Sequence, residues 1–256
     1  MRSNRPLTVF ALLGLVAALA AGCAAQGSGA TSPSPHASTG GCLRGDGGCL
    51  GTLPAGEWQS ESVDLLGTDD AGQLRYTTVD GAWANALDHT ASYWIQEADA
   101  YAQSSGDSYL TGIYVFADVA PALQEYPACP EEADPAAAVD AASMASWLDS
   151  LPGAESSAAP ARTIGGHTAY GVDVELAPTG APSCSFASPF LTVVASRAGF
   201  ADPYLFGIGA GEKIRAYFVD LGDGHTAGII IDTYGDFDEF APRAEELLDT
   251  FRFGGG

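Results

Sequence analysis

The chain has 256 residues, of which 46% are apolar and 16% charged, a composition typical of a folded protein with a hydrophobic core. Its ten lysine and arginine residues stand against 32 acidic residues, which gives a formal net charge of −22 at pH 7. This charge excludes nucleic acid as a partner, because phosphate backbones require cationic neutralisation, and it disfavours electrostatic docking on anionic lipid.

Residues 1–22 have the pattern of a lipoprotein signal peptide. Arg2 and Arg5 form a basic start, and the apolar run 7–21 is shorter than the roughly 20 residues of a membrane-spanning helix. The run ends at Cys23 in a sequence that resembles the site of lipoprotein signal peptidase, although Ala20 stands where leucine is favoured. We expect two acyl chains on Cys23 to anchor the mature chain to the extracytoplasmic face of the cell membrane. An ordinary secretory signal followed by a chance cysteine is the alternative.

Residues 23–56 are rich in Gly, Ser, Ala, Thr and Pro, a composition typical of a flexible linker with a reach of roughly 30 Å. We expect one folded domain at residues 57–253 and a flexible tail at 254–256. Export implies an oxidising compartment, and the four cysteines other than Cys23 allow three pairings. We predict one disulfide between Cys42 and Cys49, which share a Gly-rich loop. A second would join Cys129 and Cys184, which lie in proline-rich connections.

Short runs of β-type composition alternate with turns from Glu57 onward. The runs 214–219 and 227–232 flank Asp223-Gly224, which predicts a hairpin with these two residues at its tip. The other predicted strands are residues 74–79, 93–95, 112–116, 169–176 and 190–195.

Two segments have the apolar period of a helix. Asp134 with Pro135 predicts a helix start, and the segment then has an apolar stripe that ends at Leu151. A second stripe runs from Phe237 to Phe251, and we expect its regular helix to begin close to Pro242. Since strands dominate and helices are few, the sequence predicts an α+β fold, an antiparallel β-sheet with a few packed helices.

The order of several motifs resembles a group of secreted actinobacterial lipoproteins of unknown function. These motifs include Asp80-Gly81-Ala82-Trp83, Gly112-Ile113-Tyr114-Val115-Phe116 and the closing helix before Phe251-Arg252-Phe253. The ending is similar to that of the PsbP/Mog1-like α+β fold, and the resemblance spans most of residues 57–253. It implies a binding or assembly protein, and it carries over no catalytic residue.

The sequence contains no motif that predicts catalysis, a metal site or a cofactor. There is no Gly-x-Ser-x-Gly elbow, and the histidines other than His36 of the linker, namely His89, His167 and His225, are interpreted as surface residues. The acidic cluster Asp232, Asp236, Asp238 and Glu239 could offer oxygen ligands to calcium, but it fits the start of the last helix better. Residues 207–213 lack the Gly-Lys-Ser/Thr end of a phosphate loop and are interpreted as a flexible connection.

Aromatic residues supply the candidate binding surface. Trp83, Tyr93 and Trp94 lie close together in the sequence, and aromatic side chains contribute much of the energy at binding hot spots. The sheet core is the alternative location for them. We expect a lipid-anchored binding or interaction module without catalysis, whose partner is an envelope protein or an apolar molecule. The alternatives are a carrier or sensor of an apolar envelope molecule and a cryptic hydrolase.

Overall fold

The computed structural model describes residues 43–45, 48–65, 73–79, 81–103, 111–177, 182–185, 189–197 and 204–254. The predicted signal peptide, Cys23, most of the predicted linker, Cys42 and the side chain of Cys49 lie outside the described residues. In the described part of the chain, no helix is both long enough and apolar enough to cross a membrane.

A sheet of nine antiparallel strands forms the centre of the fold. In spatial order its strands are β1 (Leu43–Gly45), β2 (Gly48–Leu53), β5 (Trp83–His89), β6 (Ser92–Glu97), β7 (Gly112–Phe116), β14 (His225–Thr233), β13 (Lys213–Gly222), β10 (His167–Leu176) and β9 (Ala154–Ile164). The central strands are buried along their length, because both faces of the sheet are covered.

Two smaller sheets and three helices complete the described part of the fold. One sheet has the order β12 (Leu205–Gly209), β11 (Phe190–Ser196), β8 (Val119–Pro121), and the other has the order β15 (Arg252–Phe253), β4 (Leu74–Thr78), β3 (Gly56–Gln59). The helices are α1 (Ala98–Gln103), α2 (Ala141–Asp149) and α3 (Phe237–Leu248).

Two hydrophobic cores lie on the opposite faces of the central sheet. The first combines residues of α3 and the β15-β4-β3 sheet, and the second combines residues of α2 and the β12-β11-β8 sheet. Successive side chains of a strand point to opposite faces, so Ile229 and Ile231 belong to the first core and Ile230 to the second. Each face of the central sheet is therefore covered by strands as well as by a helix.

The predicted α+β class is wrong, because strands make up 51% of the described residues and helices only 15%, which makes this a β-rich fold. The two helical stripes in the sequence do form helices, α2 and α3, but these helices are only 9 and 12 residues long. Strands such as β3 and β8, of four and three residues, are too short to give a periodic pattern, and they form much of the covering layers.

The structure confirms the predicted hairpin, but both helices start at residues other than those predicted. Asp223 and Gly224 join β13 to β14 with φ of 52° and 83°, the left-handed pair that a tight hairpin turn needs. Helix α2 starts at Ala141 with Asp140 as its cap, whereas Asp134 accepts a hydrogen bond from the Ala136 amide in a turn. Helix α3 starts at Phe237, ahead of Pro242, because the Phe237 and Phe240 side chains are buried.

The central sheet includes residues that were predicted to belong to the linker 23–56. Strand β2 pairs with β5, with Leu53 opposite Trp83, and the Leu53 side chain is fully buried. Residues 207–209, the first part of the predicted flexible connection 207–213, belong to strand β12. These strands are short and glycine-rich, which explains why their composition resembles that of a linker.

The predicted Cys129–Cys184 disulfide is present. Both cysteines are buried, and the bridge joins the segment after β8 to the segment before β11. Hydrogen bonds beside the bridge connect the same two segments, since the Ser185 amide donates to the Pro127 carbonyl at 2.7 Å.

Candidate ligand-binding cleft

The structure does not form the aromatic surface predicted from Trp83, Tyr93 and Trp94. Trp83 and Tyr93 are only 6% and 2% exposed and lie in the first core, where the Tyr93 and Tyr76 hydroxyls are 2.8 Å apart. Trp94 packs against the second core, with its ring centroid 5.5 Å from that of Tyr114. Adjacent residues of a strand point to opposite faces, so Tyr93 and Trp94 cannot share one surface.

A cleft of about 720 Å³ lies at the β15-β4-β3 sheet. This volume is in the range of small-molecule sites. It is lined by Glu57, Trp58, Gln59, Arg75, Tyr76, Thr77, Thr250, Arg252, Phe253 and Gly254.

Two arginines lie next to each other in this cleft. In the strand pairing, Gln59 is opposite Arg75, and Arg75 is in turn opposite Arg252, so the three form one row across the sheet. The Arg75 Nε donates to Gln59 Oε1 at 2.9 Å, and the Arg252 Nη1 donates to the Asp249 and Phe251 carbonyls at 3.3 and 2.5 Å. The other guanidinium nitrogens of both arginines have no hydrogen-bond acceptor among the described residues.

Neither Arg75 nor Arg252 has an acidic side chain within ion-pair distance in the described part of the chain, which sets the two apart from the other cations there. Every other described basic side chain forms an ion pair with a carboxylate. These pairs are Arg162 with Glu245 and Asp249, Arg197 with Asp118, Lys213 with Asp238, Arg215 with Asp173 and Glu245, and Arg243 with Glu97.

The pairing of Arg75 with Arg252 is unfavourable by itself, because like charges directly opposite on neighbouring strands repel each other. The chain has 32 acidic residues, yet none in its described part lies close enough to the two arginines to form an ion pair that would offset this repulsion. An anion between the two guanidinium groups would remove the repulsion and would satisfy their free donors. The arrangement is chemically suited to hold a carboxylate or a phosphate.

A second, smaller cleft of about 320 Å³ adjoins the first. Both clefts are lined by Thr77 and Thr250, whose contact is a hydrogen bond from the Thr77 amide to Thr250 Oγ1 at 3.0 Å. The smaller cleft is also lined by Val79, Ala82, Trp83, Glu97, Arg243, Glu246 and Leu247. Trp83, predicted as part of a binding surface, therefore contributes to a cleft although little of it is exposed.

His167 and His225 do not form a catalytic triad among the described residues. His167 Nδ1 lies 3.0 Å from the Asp220 carbonyl oxygen, and its ring contacts Phe253 edge-on. His225 Nδ1 lies 3.4 Å from Asp118 Oδ1, which Arg197 also contacts. Neither His167 nor His225 forms a hydrogen bond with a serine, threonine or cysteine side chain in the described part of the chain.

The acidic residues before α3 serve the helix start, as the sequence analysis preferred. The Asp236 side chain accepts from the Glu239 amide at 3.2 Å, and Asp238 and Glu239 lie in the first turn, where the helix dipole favours negative charge. No group of three or more His, Cys, Asp or Glu side chains placed to hold a metal ion occurs within the described ranges.

Asp232 belongs to a different site, a buried carboxyl pair with Glu212. The Asp232 and Glu212 side chains are only 1% and 2% exposed, and Asp232 Oδ1 has no hydrogen-bond partner among the described residues. Burial, followed by the charge of Glu212, raises the pKa of Asp232 well above its usual value. The Gly209 amide also donates to Glu212 Oε2 at 2.7 Å, so the pair secures the turn between β12 and β13.

Replacement of Asp232 by asparagine is expected to stabilise the protein at neutral and alkaline pH. Because the folded-state pKa of Asp232 is raised, the folded state retains a proton that the unfolded state loses above about pH 4. The free energy of unfolding of the wild type should therefore fall with rising pH by up to about 1.4 kcal/mol per pH unit from this group. An asparagine amide can donate to Glu212 without titrating.

Urea unfolding of both proteins from pH 5 to pH 9 measures this difference. The advantage of Asp232→Asn should grow with pH, while the exposed Asp99→Asn control should follow the wild type. An advantage that does not change with pH would show that the pKa of Asp232 is not raised in the folded state.

Comparison with known proteins adds no assignment, since no protein-family model matches the chain and a search of curated proteins finds no match.

Proposed function

We propose that this chain is a lipid-anchored extracytoplasmic binding module that holds a small acidic ligand in the Arg75–Arg252 cleft. The supporting observation is the pair of adjacent arginines without carboxylate partners in a cleft of ligand size. The proposal assigns binding and no catalysis to this cleft.

The cleft is better suited to a small acid than to a large polyanion, because electrostatic forces act only over a short distance in salt solution. The Debye length is about 8 Å at physiological ionic strength, so a ligand within the cleft is influenced mainly by the two nearby guanidinium groups. A nucleic acid would extend over the rest of a surface whose net charge is strongly negative. The selectivity of the proposed site thus follows from ligand size as well as from ligand charge.

The arginine pair is expected to account for anion affinity. A full chain that carries Arg75→Gln and Arg252→Gln should bind butyrate at least tenfold more weakly than the same chain with both arginines. Each charge-assisted hydrogen bond contributes about 1.5–3 kcal/mol, which is about tenfold or more in affinity. Both chains would carry Cys23→Ala to remove the acyl chains, and NMR chemical-shift titration suits the weak affinity of so short an acid.

Arg197→Gln is the control, because it removes one positive charge from an arginine that is paired with Asp118 outside the cleft. Its affinity for butyrate should stay within twofold of the parent. If the double variant binds butyrate as tightly as the parent, the cleft is not an acid-binding site and the proposal is wrong.

The lipid anchor has its own prediction. Cys23→Ala should move the protein from the membrane fraction to the soluble fraction, because the two acyl chains would supply the attachment at about 0.8 kcal/mol per buried methylene. Ser28→Ala, a few residues later in the same segment, should leave the distribution unchanged. Membrane association that survives Cys23→Ala would contradict lipid anchoring.

A further inference from the structure

The smaller cleft has the properties of a site for an apolar group. Val79 is 70% exposed, one of the few large hydrophobic side chains in the described part of the chain with such exposure, and it lines this cleft with Ala82, Trp83 and Leu247. The Trp83 and Leu247 side chains are themselves buried, so Val79 is the large apolar side chain that a ligand in this cleft would cover, and covering it is favourable.

The charged residues of the smaller cleft disfavour a second acid there. Arg243 Nη1 lies 2.5 Å from Glu97 Oε1, so this cation is already neutralised. Glu246 lines the same cleft and would repel an anion, whereas in the larger cleft Arg75 and Arg252, which lack carboxylate partners there, offset the charge of Glu57. The cationic and the apolar clefts are therefore distinct in chemistry but adjacent, since both are lined by Thr77 and Thr250.

We propose that the ligand is a single-chain anionic amphiphile, with its acidic head at Arg75 and Arg252 and its hydrocarbon chain in the cleft of Val79, Trp83 and Leu247. This inference rests on the proposed function and adds the class of the ligand. The head is a carboxylate, as in a fatty acid, or a phosphate, as in an alkyl phosphate, because two guanidinium groups bind either. A chain that lies in the smaller cleft buries apolar area that a short acid leaves exposed.

Affinity should then rise with chain length until the smaller cleft is filled. Each methylene that is buried contributes about 0.8 kcal/mol, which corresponds to about fourfold in affinity. We expect decanoate to bind the Cys23→Ala full chain at least tenfold more tightly than butyrate. Decanol, which has the chain without the charge, should bind more weakly than decanoate. Decyl phosphate tests the other head group, and the tighter of the two acids identifies the head that the site prefers.

A variant of the smaller cleft separates the two proposals. Val79→Asn alters an exposed side chain, so it should leave folding unchanged, and it should reduce the decanoate-to-butyrate affinity ratio at least threefold. Tyr170→Ser, which removes an exposed apolar side chain outside both clefts, should keep the parent ratio. Circular dichroism of each variant checks that it is folded.

The two proposals fail in different ways. If decanoate binds no more tightly than butyrate while Arg75→Gln with Arg252→Gln weakens both, the acid site stands and the amphiphile is wrong. An unchanged ratio in Val79→Asn likewise overturns the placement of the chain. If the arginine variant weakens neither acid, the proposed function itself is wrong.

Discussion

Replacing both Cys129 and Cys184 by serine is expected to lower the free energy of unfolding by about 4 kcal/mol. The two cysteines are 55 residues apart, and in the chain-entropy model a cross-link of this span removes about that much conformational freedom from the unfolded state. The span contains α2, β9 and β10, which contribute to the second core. Urea unfolding monitored by far-UV circular dichroism measures the loss.

Reduction of the wild-type disulfide is the matched control for the serine variant. The reduced wild type should lose stability by a similar amount, because it lacks the same cross-link but keeps both sulfur atoms. A loss of less than about 1 kcal/mol in both proteins would show that hydrogen bonds beside the bridge, such as Ser185 to Pro127, hold the two segments without it.

Arg215→Gln is expected to destabilise the protein by about 3 kcal/mol, the low end for a broken buried ion pair. The Arg215 guanidinium binds Asp173 through two parallel hydrogen bonds of 2.6 and 2.8 Å, and a third nitrogen contacts Glu245 at 2.6 Å. Arg215 and Asp173 are opposite each other on β13 and β10, so the pair joins two strands of the central sheet. Removing the arginine leaves two partly buried carboxylates without this partner.

Glu245 should give this ion-pair network a pH dependence. Burial alone would raise the pKa of Glu245. Hydrogen bonds from Tyr217 and Arg215 and the nearby guanidinium charges lower the pKa by more than burial raises it, so it lies below its usual value. The unfolded state then binds a proton more readily, and this contribution to stability is present above about pH 4.5 and is lost as the pH falls through the folded-state pKa.

Thermal or urea unfolding at pH 7 and pH 3 tests both effects. The penalty of Arg215→Gln should be smaller at pH 3, where part of the network is already protonated. Arg197→Gln breaks a more exposed pair and should cost at most about 1 kcal/mol. Equal losses in the two arginine variants would contradict a special role for the Arg215 network.

The fold was predictable where strands carry a strong local pattern. Residues 112–116 and 227–232 are rich in apolar and β-branched side chains, and the structure places strands β7 and β14 there. Strand β9 was missed because its sequence is rich in Ala and Ser and contains Pro160. As an edge strand it pairs only with β10 and buries only Ala159 and Ile164.

The candidate cleft could not be predicted from local sequence. Arg75 and Arg252 become neighbours only through the pairing of β4 with β15, two strands from opposite ends of the domain. A weak signal was present in Phe251-Arg252-Phe253, where alternation predicts that the arginine points away from the aromatic side chains. The predicted aromatic surface was wrong because it grouped Tyr93 and Trp94 by closeness in sequence, although the alternation of the strand predicted at 93–95 already puts them on opposite faces.

NMR of the arginine side chains tests the proposed acid site most directly, because it shows which guanidinium groups contact an added acid. The account predicts that decanoate shifts the Nε–H signals of Arg75 and Arg252 in the Cys23→Ala full chain. The signals of Arg162, Arg197 and Arg215, which are paired with carboxylates, should stay in place. Shifts confined to the paired arginines, or no arginine shift at a decanoate concentration that saturates binding, would contradict it.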